Sequence, residues 1–346
     1  MVDGTAPSLE AKVAALSSAL AYDERPKAVM AIETHFAWIF LTDEHAFKLK
    51  KPLRTEFLDL SNLAARRSNC LEELRLNRRL APDVYLDVVP LAMDGAGSLR
   101  VGGNGVVIDW LVKMRRLPSE LMLDRVIAAG CVSAERLAAV GRLLARFYRV
   151  QQRIELAPRE YVARIRSRID EDRAELLAAE LKLAPALVES VVAAQVSACD
   201  KVEEELMLRA RQRRVVEGHG DLRPEHICLT DPPCIIDCLE FSLDLRTMDP
   251  GEEMAFLSVE CERLGDVSPA HSVLREYCAE AGDPISPQLL DFYRSRRAAV
   301  RAKITAWHLR DPDFSERADW RAQAEGYLQL ANLHAAQVLD QGARCG

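Results

Sequence analysis

The sequence predicts an α+β protein of two lobes, a small β-rich one first and a larger, mainly helical one after it. Three observations carry this. Residues 27–113 hold short runs of β-branched and aromatic residues, punctuated by turn residues, with one helical stretch among them. From about Pro118 the apolar residues recur at helical spacing almost to the end. Only the segment 215–245 interrupts that pattern, and it concentrates histidine, aspartate and cysteine. At 346 residues, 49% hydrophobic and 29% charged, the chain is long enough for each lobe to bury its own core.

The elements follow in order. Residues 8–22 place Leu9, Val13, Leu16 and Leu20 on one side behind a serine cap and read as an amphipathic helix. After Pro26, KAVMAIETHFAWIFLTDEHAFKLKKPL reads as a hairpin around the Thr42-Asp43-Glu44 turn. A helix over roughly 60–80 comes next. Strands near 84–91, 98–101 and 106–113 follow, separated by GAG and GGNG turns. Strands, one helix and more strands make a small α+β lobe. Helical periodicity then marks 134–152, 161–178, 185–210, 250–264, 287–309 and 316–339, with no internal repeat or low-complexity tract.

The interrupting segment carries the chemistry. HGDLRPEHICL, His219 to Leu229, is followed by Asp237 in IIDCLEF. An aspartate just after His-Gly, a candidate metal ligand at position 226 and a short apolar strand ending in a second aspartate form the layout that phosphoryl transfer from ATP needs. One carboxylate meets the acceptor hydroxyl and the other holds magnesium. Asp237 closes the run Cys234-Ile235-Ile236, so a carboxylate at the end of a buried strand needs a partner, and a hard dication is an economical one. The alternative for Asp221 is a turn cap ahead of Pro224.

This layout resembles the protein-kinase catalytic loop and, more closely, that of the aminoglycoside phosphotransferase group of kinase-like enzymes, in which His-Gly-Asp replaces His-Arg-Asp. With ETH, AFKLKKPL and ELRLNRRLAP, the chain is similar to a bacterial branch of that group over about residues 26–310. The resemblance implies a bilobal protein-kinase-like fold, with residues 1–115 as a nucleotide-binding lobe with a leading helix. Residues 116–346 would then be the helical lobe with the catalytic loop and acceptor site. It implies Asp221 as catalytic base, His219 as a brace for the loop and Asp237 as the magnesium ligand. It further implies a strand lysine that holds the ATP phosphates, with an alanine two residues earlier. Ala46-Phe47-Lys48 supplies both. Side chains alternate along a strand, so Ala46, Lys48 and Lys50 share a face, which leaves Lys50 as the alternate. Glu73, with Glu72 as alternate, is the glutamate expected to pair with that lysine, and backbone groups from Trp110 to Val112 are expected at the adenine edge.

Two departures from the family stand out. The position five residues after Asp221 holds His226 where the family has asparagine. Magnesium prefers oxygen ligands, so either His226 binds a softer ion such as manganese, or it binds none. The hairpin before Lys48 lacks the glycine-rich loop of protein kinases, leaving Thr34 and His35 as phosphate-side candidates. Two rivals to an ATP-dependent phosphotransferase follow from these departures and the fold: a catalytically silent nucleotide-binding or scaffold protein, and an AMP transferase.

The bulk numbers exclude other classes. A net charge of -7 argues against nucleic acid or a membrane surface as partner. No apolar run is long enough to span a bilayer, and MVDGTAPSLEAKV lacks the regions of a signal peptide, so a cytoplasmic protein is expected. Nine cysteines without a C-x-x-C pair suit reduced thiols. Cys228, Cys234 and Cys238 crowd near His219 and His226, yet their spacing fits no zinc template.

The expected acceptor is a small molecule, and two features bear on its charge. Arg294, Arg297 and Arg301 share one helix face, which suits an anionic acceptor if it meets the site and is otherwise a solvated face. Asp244, Glu252 and Glu253 would suit a cationic one. Asp249, before Pro250 and three residues before Glu252, reads as a helix cap, with Arg246 bracing the turn. Glu240 reads either as a contact behind the site or as a loop glutamate.

Overall fold

Period-two alternation in the first third of the chain builds a six-stranded antiparallel sheet. The computed structural model describes residues 7–55, 58–310, 316 and 318–343. Its contacts divide the chain into two units. One is Met1–Met122 with His226–Asp244, and the other is Leu123–Glu225 with Leu245–Gly346.

In the first unit, Ser8 caps α1 (Leu9–Leu16) by accepting from the Ala11 N–H at 3.3 Å. The helix stops well before residue 22. Ser17 turns its hydroxyl back to the Val13 carbonyl at 2.8 Å, and Ser18 caps a separate 3-10 turn, Ala19–Ala21. Leu20, expected on the buried face, is therefore 67% exposed.

The expected hairpin is three strands, β1 (Met30–Glu33), β2 (Ala37–Leu41) and β3 (His45–Lys50). Each connection is closed by a threonine hydroxyl, Thr34 with the backbone of Ala37 and Thr42 with that of His45. After α2 (Leu63–Asn77) come β4 (Tyr85–Met93), β5 (Leu99–Val101) and β6 (Val106–Arg115). The sheet order is β1-β2-β3-β6-β4-β5. One face packs Phe40, Phe47, Leu49 and Leu111 against Leu16 and Tyr22. The other packs Ala46, Val112 and Met114 against Cys70 and Leu74 of α2. A buried ion pair ties the N-terminal helix to the sheet, with Lys12 and Arg66 both 2.7 Å from Asp109.

The segment His226–Asp244 also belongs to this unit. Its two-residue strands Ile227–Cys228 and Cys234–Ile235 pair antiparallel. Leu229 N–H donates to the Leu121 carbonyl at 2.8 Å, and Cys238 N–H donates to Asn77 Oδ1 at 2.8 Å. The motif thus splits between the units just before His226.

The second unit is helical: α3 (Leu123–Ala128), α4 (Ala134–Val150), α5 (Pro158–Leu176) and α6 (Pro185–Arg211). The one-turn α7 (Leu243–Arg246) is where the chain re-enters it. There follow α8 (Pro250–Arg263), α9 (Ser268–Ala281), α10 (Pro287–Trp307) and α11 (Trp320–Ala343). The sequence reading missed α9, although Pro269 in its first turn and Gly282 in the left-handed region at its end mark both boundaries. Ile165, Ile169, Val202, Leu206, Phe292 and Tyr293 form one core among these helices, each large apolar side chain contributing about 1.5–3 kcal/mol on burial. No described helix is long and apolar enough to cross a membrane.

Candidate active site

Strand alternation delivers Lys48 and Lys50 to the same face of β3, where α2 presents Glu73. Lys48 Nζ lies 2.9 Å from Glu73 Oε1 and 2.7 Å from Asp237 Oδ1. Lys50 pairs with the other Glu73 oxygen and, at 2.6 Å, with Glu240. Glu72, one residue from Glu73, points elsewhere and pairs with Arg75 on the surface. Two lysines thus meet three carboxylates in one group, with Glu73 fully buried at its centre and Asp237 its most exposed member, at 43% of its side chain.

Asp237 is held in an unusual conformation. Its φ is +62°, in the left-handed region that costs a non-glycine residue about 1–3 kcal/mol and that the surroundings must enforce. They do so through its own N–H, which donates to the Tyr85 hydroxyl at 3.1 Å, and through the next N–H on Asn77. His226 closes a 3-10 turn and accepts the Ile236 N–H at 2.9 Å, which sets its ring 3.6 Å from Asp237 Oδ2. That separation exceeds a hydrogen bond.

This donor set suits a divalent cation that arrives with a phosphate ligand. Magnesium takes one or two protein carboxylates and completes its shell from phosphate oxygens and water. Asp237 offers a partly exposed carboxylate oxygen beside an imidazole nitrogen, in a group with more carboxylates than lysines. Among the described residues no three His, Cys, Asp or Glu groups stand together as a closed protein cage.

Charge sets the acid behaviour of the group. Burial opposes ionisation of Glu73 most strongly, yet Lys48 and Lys50 overcome it and hold its carboxyl below the usual range. For Asp237 burial is again opposed and outweighed, by Lys48 and His226 first, and its carboxyl is held far below the usual range. Both lysines lie above their ordinary value, because these carboxylates outweigh the burial that would lower them. A depressed folded value means that each carboxylate's contribution to stability is complete above its unfolded value and is lost as pH falls through the folded one. The resistance of the wild type to urea should therefore fall as pH drops below about 4.5, and Glu73→Gln should flatten part of that slope. Equal slopes for the two proteins would contradict the assignment.

The second unit holds the loop that begins the motif. Glu253, on the first turn of α8, is fully buried and accepts the N–H groups of His219, at 3.0 Å, and Gly220, together with the Tyr148 hydroxyl. Burial raises its carboxyl above the usual range, and these hydrogen bonds only partly offset that. Gly218 must be glycine for space, since a Cβ there would lie 2.9 Å from the Glu253 carboxyl. His219 is buried and its Nδ1 accepts the Asp221 N–H at 3.3 Å, so it braces the loop. Asp221 itself is half-buried, with Arg223 Nε at 3.2 Å.

Arg294, Arg297 and Arg301 are not a solvated face. Arg294 meets Asp291 at 3.1 Å, and Arg301 meets Glu260 at 3.0 Å. Arg297 lies 4.1 Å over the Phe256 ring, donates to the Gly220 carbonyl at 3.3 Å and faces Glu252 at 3.7 Å. Arg297 and Arg301, like Arg223, act electrostatically on Asp221.

Other expected residues sit differently. Trp110 and Val112 lie inside β6: Val112 stands opposite Lys48 of β3 and Val88 of β4, while Trp110 stands opposite Pro90 of β4 and turns its N–H to Asp109 Oδ1 at 3.0 Å. Trp110 is taken up by α2: Arg67 stands 4.8 Å over its ring and the Cys70 thiol points at its carbonyl. The Val112 side chain joins the apolar cluster around Ala46 and Met114, against which Ile39, Leu41 and Ile236 are only partly buried. Thr34 uses its hydroxyl to close the β1–β2 turn, and His35 stacks edge-on with Phe36. Asp249 caps α8 by accepting the Gly251 N–H at 2.7 Å and also pairs with buried Arg209 at 2.6 Å, a role its local sequence did not reveal. Arg246 braces this turn through Glu217 at 2.8 Å.

The model of the phosphotransferase enzyme family matches residues 47–285. Uncharacterized proteins of Mycobacterium tuberculosis and Mycobacterium bovis are 33% identical over 275 residues, which is 79% of this chain and 53% of theirs. The chain thus spans about half the length of the curated relatives it matches. Among solved structures, a choline/ethanolamine kinase family protein from Mesorhizobium loti aligns with a TM-score of 0.52 at 16% identity, covering 94% of this chain and 98% of that one. Aminoglycoside 2'-phosphotransferase-IIIa, solved as its GDP complex, aligns with a TM-score of 0.50 at 15% identity, covering 90% and 94%. At these identities the likeness establishes the fold, which is the two-lobed kinase-like one.

Proposed function

We propose that this chain, which belongs to the phosphotransferase enzyme family, moves the γ-phosphate of ATP to a hydroxyl of a small-molecule acceptor. The observation that supports this most directly is Lys48 held between Glu73 and Asp237, with Asp237 in a left-handed conformation. A lysine fixed in this way is ready to meet phosphate oxygens as a point charge, and Glu73 positions it. The partly buried Ile39, Leu41 and Ile236, with Val112 behind them, would offer the adenine ring an apolar surface. Asp237, with His226 beside it, would hold the metal, and magnesium would supply charge neutralisation there when bound.

Asp221 is the base. It accepts the proton of the acceptor hydroxyl as that oxygen bonds to the γ-phosphorus and the bond to the bridging oxygen of ADP breaks. Glu253 and His219 keep the loop in place while this happens. Arg223, Arg297 and Arg301 around Asp221 favour an acceptor that carries an anionic group near its reacting hydroxyl.

ADP release by the wild type separates this reading from a silent scaffold, and His226→Asn tests its metal part. Asparagine restores an oxygen donor, so magnesium-supported ADP release should be kept or raised, with any preference for manganese reduced. A collapse of turnover with both metals would show that the imidazole itself is required and would overturn its description as a replaceable ligand.

A further inference from the structure

A second charged concavity lies within the helical unit and shares Tyr148 with the hydrogen bonds that support Glu253. It is a cavity of about 50 Å³ lined by Tyr148, Arg149, Arg153, Arg214, Tyr277 and Asp283. By the measure that assigns about 10–15 Å³ to one water, it has room for a few waters or a single tetrahedral oxyanion. Its one lining carboxylate is already engaged. Asp283 accepts from both terminal nitrogens of Arg209 and from the Tyr277 hydroxyl at 2.7 Å. Arg209 holds the Asp283 carboxyl below the usual range despite burial, so it stays a satisfied anion.

The three lining arginines meet carboxylates only at 3.4 Å or a neutral backbone carbonyl. Arg149 reaches the Glu280 carbonyl and carboxylate only at 3.3 and 3.4 Å. Arg153 donates to the backbone carbonyl of Arg213 at 2.9 Å. Arg214 stands 3.4 Å from Asp283, which Arg209 already occupies. Three guanidiniums on a small cavity, with one committed carboxylate, present planar donor forks matched to phosphate oxygens.

We propose that this cavity is a binding site for a phosphoryl group, either inorganic phosphate or the terminal group of a phosphomonoester. The site is close to the catalytic loop in bonding terms. Tyr148, in its wall, donates to Glu253, which accepts the His219 and Gly220 N–H groups.

Calorimetric titration of the whole chain with inorganic phosphate, and separately with phenyl phosphate at the same ionic strength, tests this. Both should bind, and the tighter of the two identifies whether the free ion or the ester is the ligand. Arg149→Gln/Arg153→Gln changes two exposed side chains, so it should fold as the wild type does and lose about tenfold or more in affinity. In parallel, phosphate should protect Arg149, Arg153 and Arg214 from phenylglyoxal, read by peptide mass spectrometry. No binding up to about 10 mM of either probe, which is weaker than about 3 kcal/mol, would overturn the proposal. Binding that ignores the double substitution and protects other arginines would do so too.

Discussion

Asp221→Asn is expected to bind ATP nearly as tightly as the wild type while losing about 10²- to 10⁴-fold in transfer. The separation of the two effects follows from where the residues sit. Lys48, Glu73, His226 and Asp237, proposed for nucleotide and metal, all belong to the first unit, and Asp221 to the second. Asparagine has the shape of aspartate and still accepts a hydrogen bond, so the Asp221 N–H on His219 and the Glu253 contacts beneath it should persist. What is lost is the proposed proton acceptor. Nucleotide binding by calorimetry and ADP release in single turnover check the two sides, and an equal loss of both would remove Asp221 from the role of base.

Glu73→Ala should produce the largest loss of stability of any single change in the proposed nucleotide site, about 3 kcal/mol by urea unfolding. Removing one partner of a buried ion pair typically costs about 3–5 kcal/mol, because the other charge is left desolvated. Glu73 serves two lysines at once, and neither it nor Lys50 meets solvent. The lower end of the range applies because Lys48 keeps Asp237 and Lys50 keeps Glu240. Glu72→Ala is the internal control, since its i,i+3 pair with Arg75 lies near the surface and such pairs contribute about 0.2–0.5 kcal/mol. Similar losses for the two variants would mean that the lysine-glutamate group is not the anchor described here.

Local features of the sequence account for much of this. Alternation placed Ala46, Lys48 and Lys50 together, opposite Phe47 and Leu49, because the period of a strand is a property of the backbone. The caps Ser8 and Asp249 were legible for the same reason, since a cap acts within three residues of its helix. Features that depend on distant partners were not. Lys12 and Arg66 converge on Asp109 from far along the chain, and Arg209 joins Asp249 to Asp283. Glu253 read as one acidic residue among several near the acceptor, whereas it is the buried acceptor for the loop N–H groups. Its importance comes from backbone donors that no side-chain pattern records. The left-handed φ of Asp237 is equally silent in sequence, because aspartate gives no sign that its conformation is enforced by Tyr85 and Asn77. The contacts of Trp110 were silent too, because Arg67 and Cys70, which meet its ring and its carbonyl, come from α2, far away in the sequence.

The central claim is that Asp237, with Lys48 against it, is a metal-nucleotide site. Calorimetry of ATP binding to the wild type and to Asp237→Ala, without metal, with magnesium and with manganese, tests it most directly. The account predicts binding that depends on the metal and weakens by at least about tenfold in the variant. Absence of ATP binding to the wild type with every metal, or binding equal in the two proteins, would contradict it.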